Sequence, residues 1–361
     1  MNNIIHVITT IENGGAEKQL FILASQQVHL GNNVQVIYLK GKPDLQDSMI
    51  SRGINVYSNI ANLNFFSQVI ILKKYLKKQV EPNTVLHAHL PRSEVICVLS
   101  KFNHKLFITR HNSEPFFPKA PRILSRLLSR FILDKSQVCI SISDAVKRFL
   151  IDKKEISKKV PIEIVHYGYM PNHLQNRPKT KQITSTKLIV GTISRLEKQK
   201  DIPTLLKAVS LCKESGMNIE LRICGSGSMK DSLSNLSKKF NIHHNVNWIG
   251  KIEDIYSFLN SIDIFILSTK YEGFGLVLLE AMQSKLPIIA SNNSAIPEVL
   301  GRDDLMLFET GNIQQLANRI IFLNDKFMRV SIGRLQSKRL NLFDPEKMAR
   351  QILRIYSDYV T

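Results

Sequence analysis

Glu272 and Glu280 stand eight positions apart in the stretch KYEGFGLVLLEAM, residues 270–282, with two glycines and an apolar run between them. A carboxylate can accept hydrogen bonds from two neighbouring hydroxyls, so this spacing suits a ligand held at both ends. Gly273 and Gly275 flank Phe274 and let the backbone turn sharply and approach a ligand closely. Helical periodicity resumes at Leu276. The helix end formed there offers N–H groups and a positive dipole end, a setting for phosphate. Glu280 falls about a turn into that helix beside Leu278, Leu279 and Ala281, and a part-buried carboxylate needs partners such as ribose hydroxyls. A second segment, GTISRLEKQKD at 191–201, carries Arg195 and Lys200 in a predicted loop between a strand and a helix. Arg offers a planar fork and Lys a point charge, together enough to neutralise a diphosphate. Taken singly, each feature has a bland reading: a loop charge, an exposed helix residue, a solvated basic loop. The combination favours the site.

These residues need elements to position them. Short β-rich runs recur as NIIHVIT, NVQVIYL, TVLHAHL, KLFITR, QVCISI and IEIVHYG, then as KLIVGTIS, IELRICG, DIFILST and LPIIAS. Longer periodic segments separate them, which predicts βα units with parallel sheets covered by helices. A polar stretch with two prolines, residues 171–187, reads as a linker. The predicted architecture is α/β: two Rossmann-like lobes whose parallel sheets face each other across a cleft. Ligands of open α/β sheets bind beyond the carboxyl ends of strands. Gly15, His87, His89, His111, Arg195, Gly225 and Glu272 all fall just after predicted strands. The NGGAEK turn at 13–18 is not the GxGxxG dinucleotide fingerprint.

The 361 residues, 43% apolar and 22% charged, suit an ordinary globular protein of two domains. No run approaches the ~18 apolar residues of a membrane-spanning helix, and the N-terminus lacks a signal-peptide pattern. Cys97, Cys139, Cys212 and Cys224 lack CxxC spacing and read as reduced core thiols of a cytosolic protein. The net charge of +19 suggests an anionic partner: nucleic acid, an acidic membrane face or a phosphorylated substrate. Ile-, Lys- and Asn-rich usage suggests a bacterium.

In order along the chain, GGAEK, ISRLEKQKD, ICGSGS and STKYEGFGLVLLEAMQSKLPIIAS followed by IPEVL resemble the retaining glycosyltransferases of family 4, which have the GT-B fold. The resemblance covers nearly the whole chain, and the two spaced glutamates are its most specific part. It implies an N-terminal acceptor-binding lobe over 1–170, onto which the C-terminal helix 345–361 crosses back, and a nucleotide-sugar lobe over 188–344. Arg195 and Lys200 would hold the donor diphosphate. Glu280 would bind the ribose, and Glu272 would contact sugar hydroxyls near the reacting carbon. Backbone at Gly273, Phe274, Gly275 and Leu276 would cradle phosphate and sugar, while Gly15 and Gly225 would border the diphosphate. His111 matches a position whose backbone or ring lies near the reacting sugar. The resemblance implies a nucleotide-sugar donor, UDP-linked by preference with GDP next, and no separate cofactor. No Asp-x-Asp motif is present, so cations would take the place of a metal. Two departures stand out: Asp201 replaces a glycine that usually follows the lysine, and Ala295 replaces a glycine before IPE.

Residues 116–133, FFPKAPRILSRLLSRFIL, contain no acidic residue and repeat arginine every four positions at Arg122, Arg126 and Arg130. Ile123, Leu124, Leu127, Leu128, Phe131 and Ile132 recur with helical spacing, giving a basic amphipathic helix. It either lies on an anionic membrane or packs on its own lobe with a solvated basic face. VIILKKYLKKQV at 69–80 has the same ambiguity. The expectation is a cytoplasmic enzyme, peripheral on the inner face of the cell membrane. It would act on a saccharide or lipid-linked saccharide in cell-surface polysaccharide synthesis, without nucleic acid. A catalytically silent sugar-nucleotide-binding subunit and a polyanion-binding protein are the alternatives. A nicotinamide oxidoreductase is disfavoured by the missing fingerprint.

Overall fold

The computed structural model describes residues 3–79, 84–171 and 187–360. The expected linker falls almost wholly outside the described residues. The chain divides into two compact units, residues 1–170 with 343–361, and residues 171–342.

The first unit holds seven strands: β1 (Asn3–Ile8), β2 (Asn33–Tyr38), β3 (Asn55–Tyr57), β4 (Thr84–His89), β5 (Lys105–Arg110), β6 (Val138–Ser141) and β7 (Ile162–Ile164). They form one parallel sheet in the order β3-β2-β1-β4-β5-β6-β7. Its helices are α1 (Gly15–His29), α2 (Gln46–Ile50), α3 (Phe65–Lys78), α4 (Pro91–Ser100), α5 (Arg122–Leu133) and α6 (Asp144–Asp152). Right-handed crossovers put α1 and α2 on one face and α3 to α6 on the other. The last helix, α14 (Pro345–Val360), packs along α1, and Met348, Ala349, Ile352, Ile355 and Tyr356 join the core beneath it. That core contains Ile4 and Ile8 of β1, Val85 of β4 and Phe107 of β5.

The second unit repeats the plan with six strands: β8 (Leu188–Ile193), β9 (Ile219–Cys224), β10 (Val246–Gly250), β11 (Ile264–Leu267), β12 (Ile288–Ser291) and β13 (Leu307–Phe308). Their order is β10-β9-β8-β11-β12-β13, again parallel. Helices α7 (Ile202–Glu214), α8 (Lys230–Lys239), α9 (Ile255–Asn260), α10 (Leu276–Gln283), α11 (Ile296–Leu300), α12 (Ile313–Phe322) and α13 (Lys326–Ser337) cover it. β11 and β12 are buried throughout, so their IFIL and IIAS runs read as continuous apolar strands.

Three strands escape the sequence reading: β3, β10 and β13. All three are sheet edges. β3 and β10 are partly exposed and β13 has two residues, so none offers a long buried run or a clean alternation. The 116–133 segment also needs correcting. Its helix starts only at Arg122, because Pro121 takes an extended ψ of 132° at the N-cap. Phe116, ahead of it, is buried.

Candidate functional site

In the second unit, the parallel pairing of β8 with β9 continues past the strand ends. The N–H groups of Ser194 and Leu196 donate to the carbonyls of Cys224 (3.0 Å) and Ser226 (2.9 Å). This approach requires glycine: Gly225 sits at φ +133°, and a Cβ there or at Gly227 would run into the carbonyl of Ser194 or Leu196. Glu197 closes the same loop by accepting from the Ser228 N–H (3.0 Å) and hydroxyl (2.9 Å), which draws its carboxyl below the usual range. Arg195, between the two bonded neighbours, is exposed, and its guanidinium donates to the Gln199 amide oxygen at 3.1 Å.

Residues 198–200 form a single 3-10 turn that is tied to the segment after β11. The Gln199 side chain donates to the Tyr271 carbonyl (2.9 Å), and its own carbonyl accepts from the Lys270 N–H (2.8 Å). The Ser268 hydroxyl reaches the carbonyls of Lys200 and Asp201, 3.2 Å each. These ties bring Lys200 onto Glu272, and the two form an ion pair with side chains only 11% and 18% exposed. Gln199, Ser268 and Thr269 are the positioning residues that sequence reasoning missed; the polar pair directly after the apolar IFIL run was their signal.

Both departures from the family pattern have a local explanation. Asp201 occupies the left-handed region (φ +47°, ψ +41°), where glycine is the easy choice and Asp is among the tolerated exceptions. Its carboxylate accepts from the Thr204 hydroxyl at 2.8 Å. Ala295 has a helical φ of −82°, which any residue adopts, and the left-handed turn falls instead on Ser294 (φ +49°).

Glu272 leads into Gly273, buried Phe274 and Gly275, which enters α10 as a left-handed N-cap (φ +92°) with no side-chain cap. Leu276 starts the helix, and Glu280 follows in its second turn, half-buried. The unit therefore gathers Arg195, Lys200, Gly225, Glu272 and the start of α10 at the carboxyl edge of its sheet. The edge is charged and partly open.

In the first unit, Gly15 is the first residue of α1, after β1. Gly14 caps it, and Glu17 folds back to accept from the Thr10 hydroxyl at 2.5 Å. His111 follows β5 and joins a chain of side chains: Gln27 Oε1 to His6 Nε2 (2.7 Å), His6 Nδ1 to His89 Nε2 (3.0 Å), His89 Nδ1 to His111 Nε2 (3.1 Å), and His111 Nδ1 to the Tyr167 hydroxyl (2.6 Å). Beside it, His87 joins Tyr356 of α14 (2.6 Å) to Thr109 (2.7 Å). Strand register explains the gathering: His6 pairs His87, and His87 and His89 project from the same face of β4. Burial lowers the pKa of the His6 ring to about 4 and of His111 to about 3, the latter helped by the Arg110 charge. His111 is therefore neutral near pH 7, and both its ring nitrogens already bond to protein.

Arg110 is buried between Glu94 (3.0 Å) and Glu155 (3.8 Å), lies 4.5 Å from the Phe116 ring, and donates to Ser129 of α5 at 3.0 Å. Burial raises Glu94 to about pKa 7 against the pull of Arg110. Through these contacts α5 presents Ser125, Ser129, Ile132 and Leu133 inward. Ile123, Leu124, Leu127 and Phe131 are left exposed by half or more. Arg122 and Arg130 are exposed beside them. On the same face of the sheet, α3 likewise buries Leu72 and Leu76 and exposes Phe66 and Ile70. No helix among the described residues is long and apolar enough to cross a membrane.

Two doubly wound parallel units, one of them with a cationic loop beside a glycine-led helix end, define a GT-B glycosyltransferase. Residues 13–171 match the model of Glycosyltransferase Family 4, and residues 175–334 match that of Glycosyl transferases group 1. The chain belongs to this family and is a glycosyltransferase. It is similar to the capsular polysaccharide biosynthesis glycosyltransferase CapM of Staphylococcus aureus, 25% identical over 234 residues that make up 61% of each chain. It is also similar to the N-acetyl-alpha-D-glucosaminyl L-malate synthase of Bacillus anthracis, 26% identical over 78% of this chain and 76% of that one. Its fold matches that of Anabaena Alr3699/HepE in complex with UDP and glucose, with a TM-score of 0.78 at 17% identity, covering 99% of this chain and 100% of that one.

Proposed function

We propose that this enzyme transfers a sugar, with retention and without a metal, from a UDP-sugar to a saccharide or lipid-linked saccharide acceptor in cell-surface polysaccharide synthesis. The observation that carries the reading is the Lys200–Glu272 ion pair at the carboxyl edge of the second sheet, beside Arg195 and the start of α10, which no side chain caps. An unpaired carboxylate or ammonium at this depth would be costly, so each satisfies the other when no ligand is bound. A donor diphosphate would take over Lys200 and Arg195, and Glu272 would then be available to the sugar hydroxyls. Departure of the nucleoside diphosphate builds negative charge on phosphate oxygens. Arg195, Lys200 and the N–H groups that open α10 would stabilise it. Glu280, one turn on, would accept from the ribose hydroxyls, and Gly273, Phe274, Gly275 and Leu276 would follow the phosphate and sugar with their backbone. Gly225 would keep the Arg195 loop in place. Gly15 and His111 belong to the acceptor-binding unit in this reading. His111 would meet its ligand by backbone or ring edge, since its ring nitrogens are occupied.

UDP as the base-bearing group is supported by HepE, whose structure holds UDP with glucose, and the pathway by CapM, a capsular polysaccharide enzyme. A lipid-linked acceptor is supported by the exposed apolar residues of α5, flanked by arginines and free of acidic residues over 122–133. Such a face fits the headgroup boundary of an anionic membrane. Transfer from a UDP-sugar to a membrane-extract acceptor, with the product anomer read by NMR, tests the reading. The expected product keeps the donor configuration and forms equally well in EDTA. An inverted product, or turnover abolished by EDTA, would refute the corresponding part. Flotation with anionic but not zwitterionic vesicles is expected for the wild type and lost in Leu124→Asp with Leu127→Asp.

A further inference from the structure

Among the described residues, one group of potential metal ligands has its donor atoms within 4.8 Å of one another: His6, His87 and His89, all buried. The hydrogen bonds argue for another role. Every ring nitrogen of these three residues, and of His111, already lies 2.6–3.1 Å from a protein partner. His87 and His89 also lie side by side, with ring centroids 4.2 Å apart, instead of converging on a common point.

The direction of the chain follows from its inner end. With the Gln27 amide oxygen assigned to His6 Nε2, the amide can only accept there. His6 therefore carries its proton on Nε2 and accepts at Nδ1. His89 must then donate from Nε2 and accept at Nδ1, and His111 must do the same. The last acceptor, His111 Nδ1, requires the Tyr167 hydroxyl to donate to it. Because a carboxamide neither takes up nor releases a proton in the physiological range, the chain ends at Gln27 and conducts nothing. We infer that Gln27, His6 and His89 are positioning residues that hold the His111 ring neutral, with its proton on Nε2, and turn the Tyr167 hydroxyl proton inward onto Nδ1.

The consequence is a fixed pattern of hydrogen-bond polarity at the edge where His111 and Tyr167 stand. The charged groups around the chain are few, Arg110 beside His111 and Glu17 near Tyr167, and the neutral His87 ring is the other titratable neighbour. Burial keeps the rings uncharged among them. The tautomer assignment stands on the first unit alone. Its effect on turnover rests on the transferase reading above, and the two can fail separately.

The test is long-range ¹H–¹⁵N correlation on the full chain labelled at histidine, assigned by single His→Gln variants, between pH 6 and 8. His6, His89 and His111 are expected as neutral Nε2–H tautomers that do not move with pH. Nδ1–H tautomers, imidazolium signals, averaging between tautomers, or a stoichiometric metal in the purified protein would overturn the inference. Gln27→Glu should let a proton added to the new carboxylate–His6 pair reverse the chain, so that His89 and His111 become Nδ1–H as pH falls. Gln27→Met should leave His111 as a tautomer mixture and lower kcat about fivefold, the equivalent of one hydrogen bond, with the donor KM unchanged. Wild-type tautomers retained in both variants would contradict the role of Gln27. Should either variant fail to fold, the wild-type tautomers still decide.

Discussion

The carboxyl edges of the two sheets solve opposite problems with similar topology. At the second unit's edge, charged side chains are held in an exchangeable arrangement: Lys200 on Glu272, Arg195 on Gln199. At the first unit's edge, polar side chains are neutral and locked in a closed chain from Gln27 to Tyr167. Burial makes the difference. Lys200 and Glu272 keep a fraction of their surface in water, so the proposed phosphate would replace one partner by another at modest cost. His6, His87 and His89 keep essentially none, so protein hydrogen bonds stand in for water at their ring nitrogens, and the neutral form wins. In the proposed reading, the edge that binds and releases an anion stays charged and adaptable. An edge that presents a fixed surface gives up charge for rigidity.

The largest effect should come from the charged edge. Lys200→Ala is expected to lower kcat/KM by about 10² to 10³, the usual cost of removing one donor to a developing anion. Glu272→Gln should be comparably damaging while leaving UDP affinity nearly intact. Equal loss of UDP binding in both variants would break the division between diphosphate and sugar contacts. Gly225→Ala tests the scaffold beneath. Its side chain would push into the Ser194 carbonyl, so the melting temperature and UDP affinity are both expected to fall.

The neutral edge should show itself in pH. His6 titrates near 6.5 when unfolded and about 4 when folded, so between those values the unfolded chain binds more protons. Stability is then full above pH 6.5 and is lost as pH falls towards 4, on the order of 3 kcal/mol from this ring. Glu94 runs the other way: raised to about 7, it binds a proton in the folded state first, which offsets part of the loss between pH 7 and 4.5. Glu94→Gln should therefore steepen the acid-side decline by up to about 1.4 kcal/mol per pH unit, read from denaturant titrations. An unchanged slope would mean that Glu94 is not the offsetting group. The smallest effect is expected for Asp201→Gly, which relieves a left-handed residue but loses the bond from Thr204; the net should stay within about 1 kcal/mol.

The charged edge was legible in the sequence because its residues are local. Glu272, the glycines, Leu276 and Glu280 lie within one strand-to-helix turn, and Arg195 and Lys200 within another. The α/β alternation was equally plain, since most strands are short runs rich in Ile, Val and Leu set between longer helical segments. The histidine chain was not legible as a unit. Its members lie on β1, on β4, after β5 and after β7, and only parallel register brings His6 beside His87 and His89. Each histidine alone reads as a structural one. The placement of α5 was half legible: its arginine repeat is in the sequence, but that Ser129 shares the buried face with Ile132 and Leu133 follows from Arg110 and Glu155 beneath it.

The most direct measurement is calorimetric titration of the purified protein with UDP, with and without EDTA, alongside Arg195→Ala. The account predicts one site per chain, unaffected by EDTA, and about tenfold or more weaker in the variant, since a charge-assisted contact is lost. No binding of any nucleoside diphosphate by a cooperatively folded protein, or binding that Arg195→Ala leaves unchanged, would contradict it.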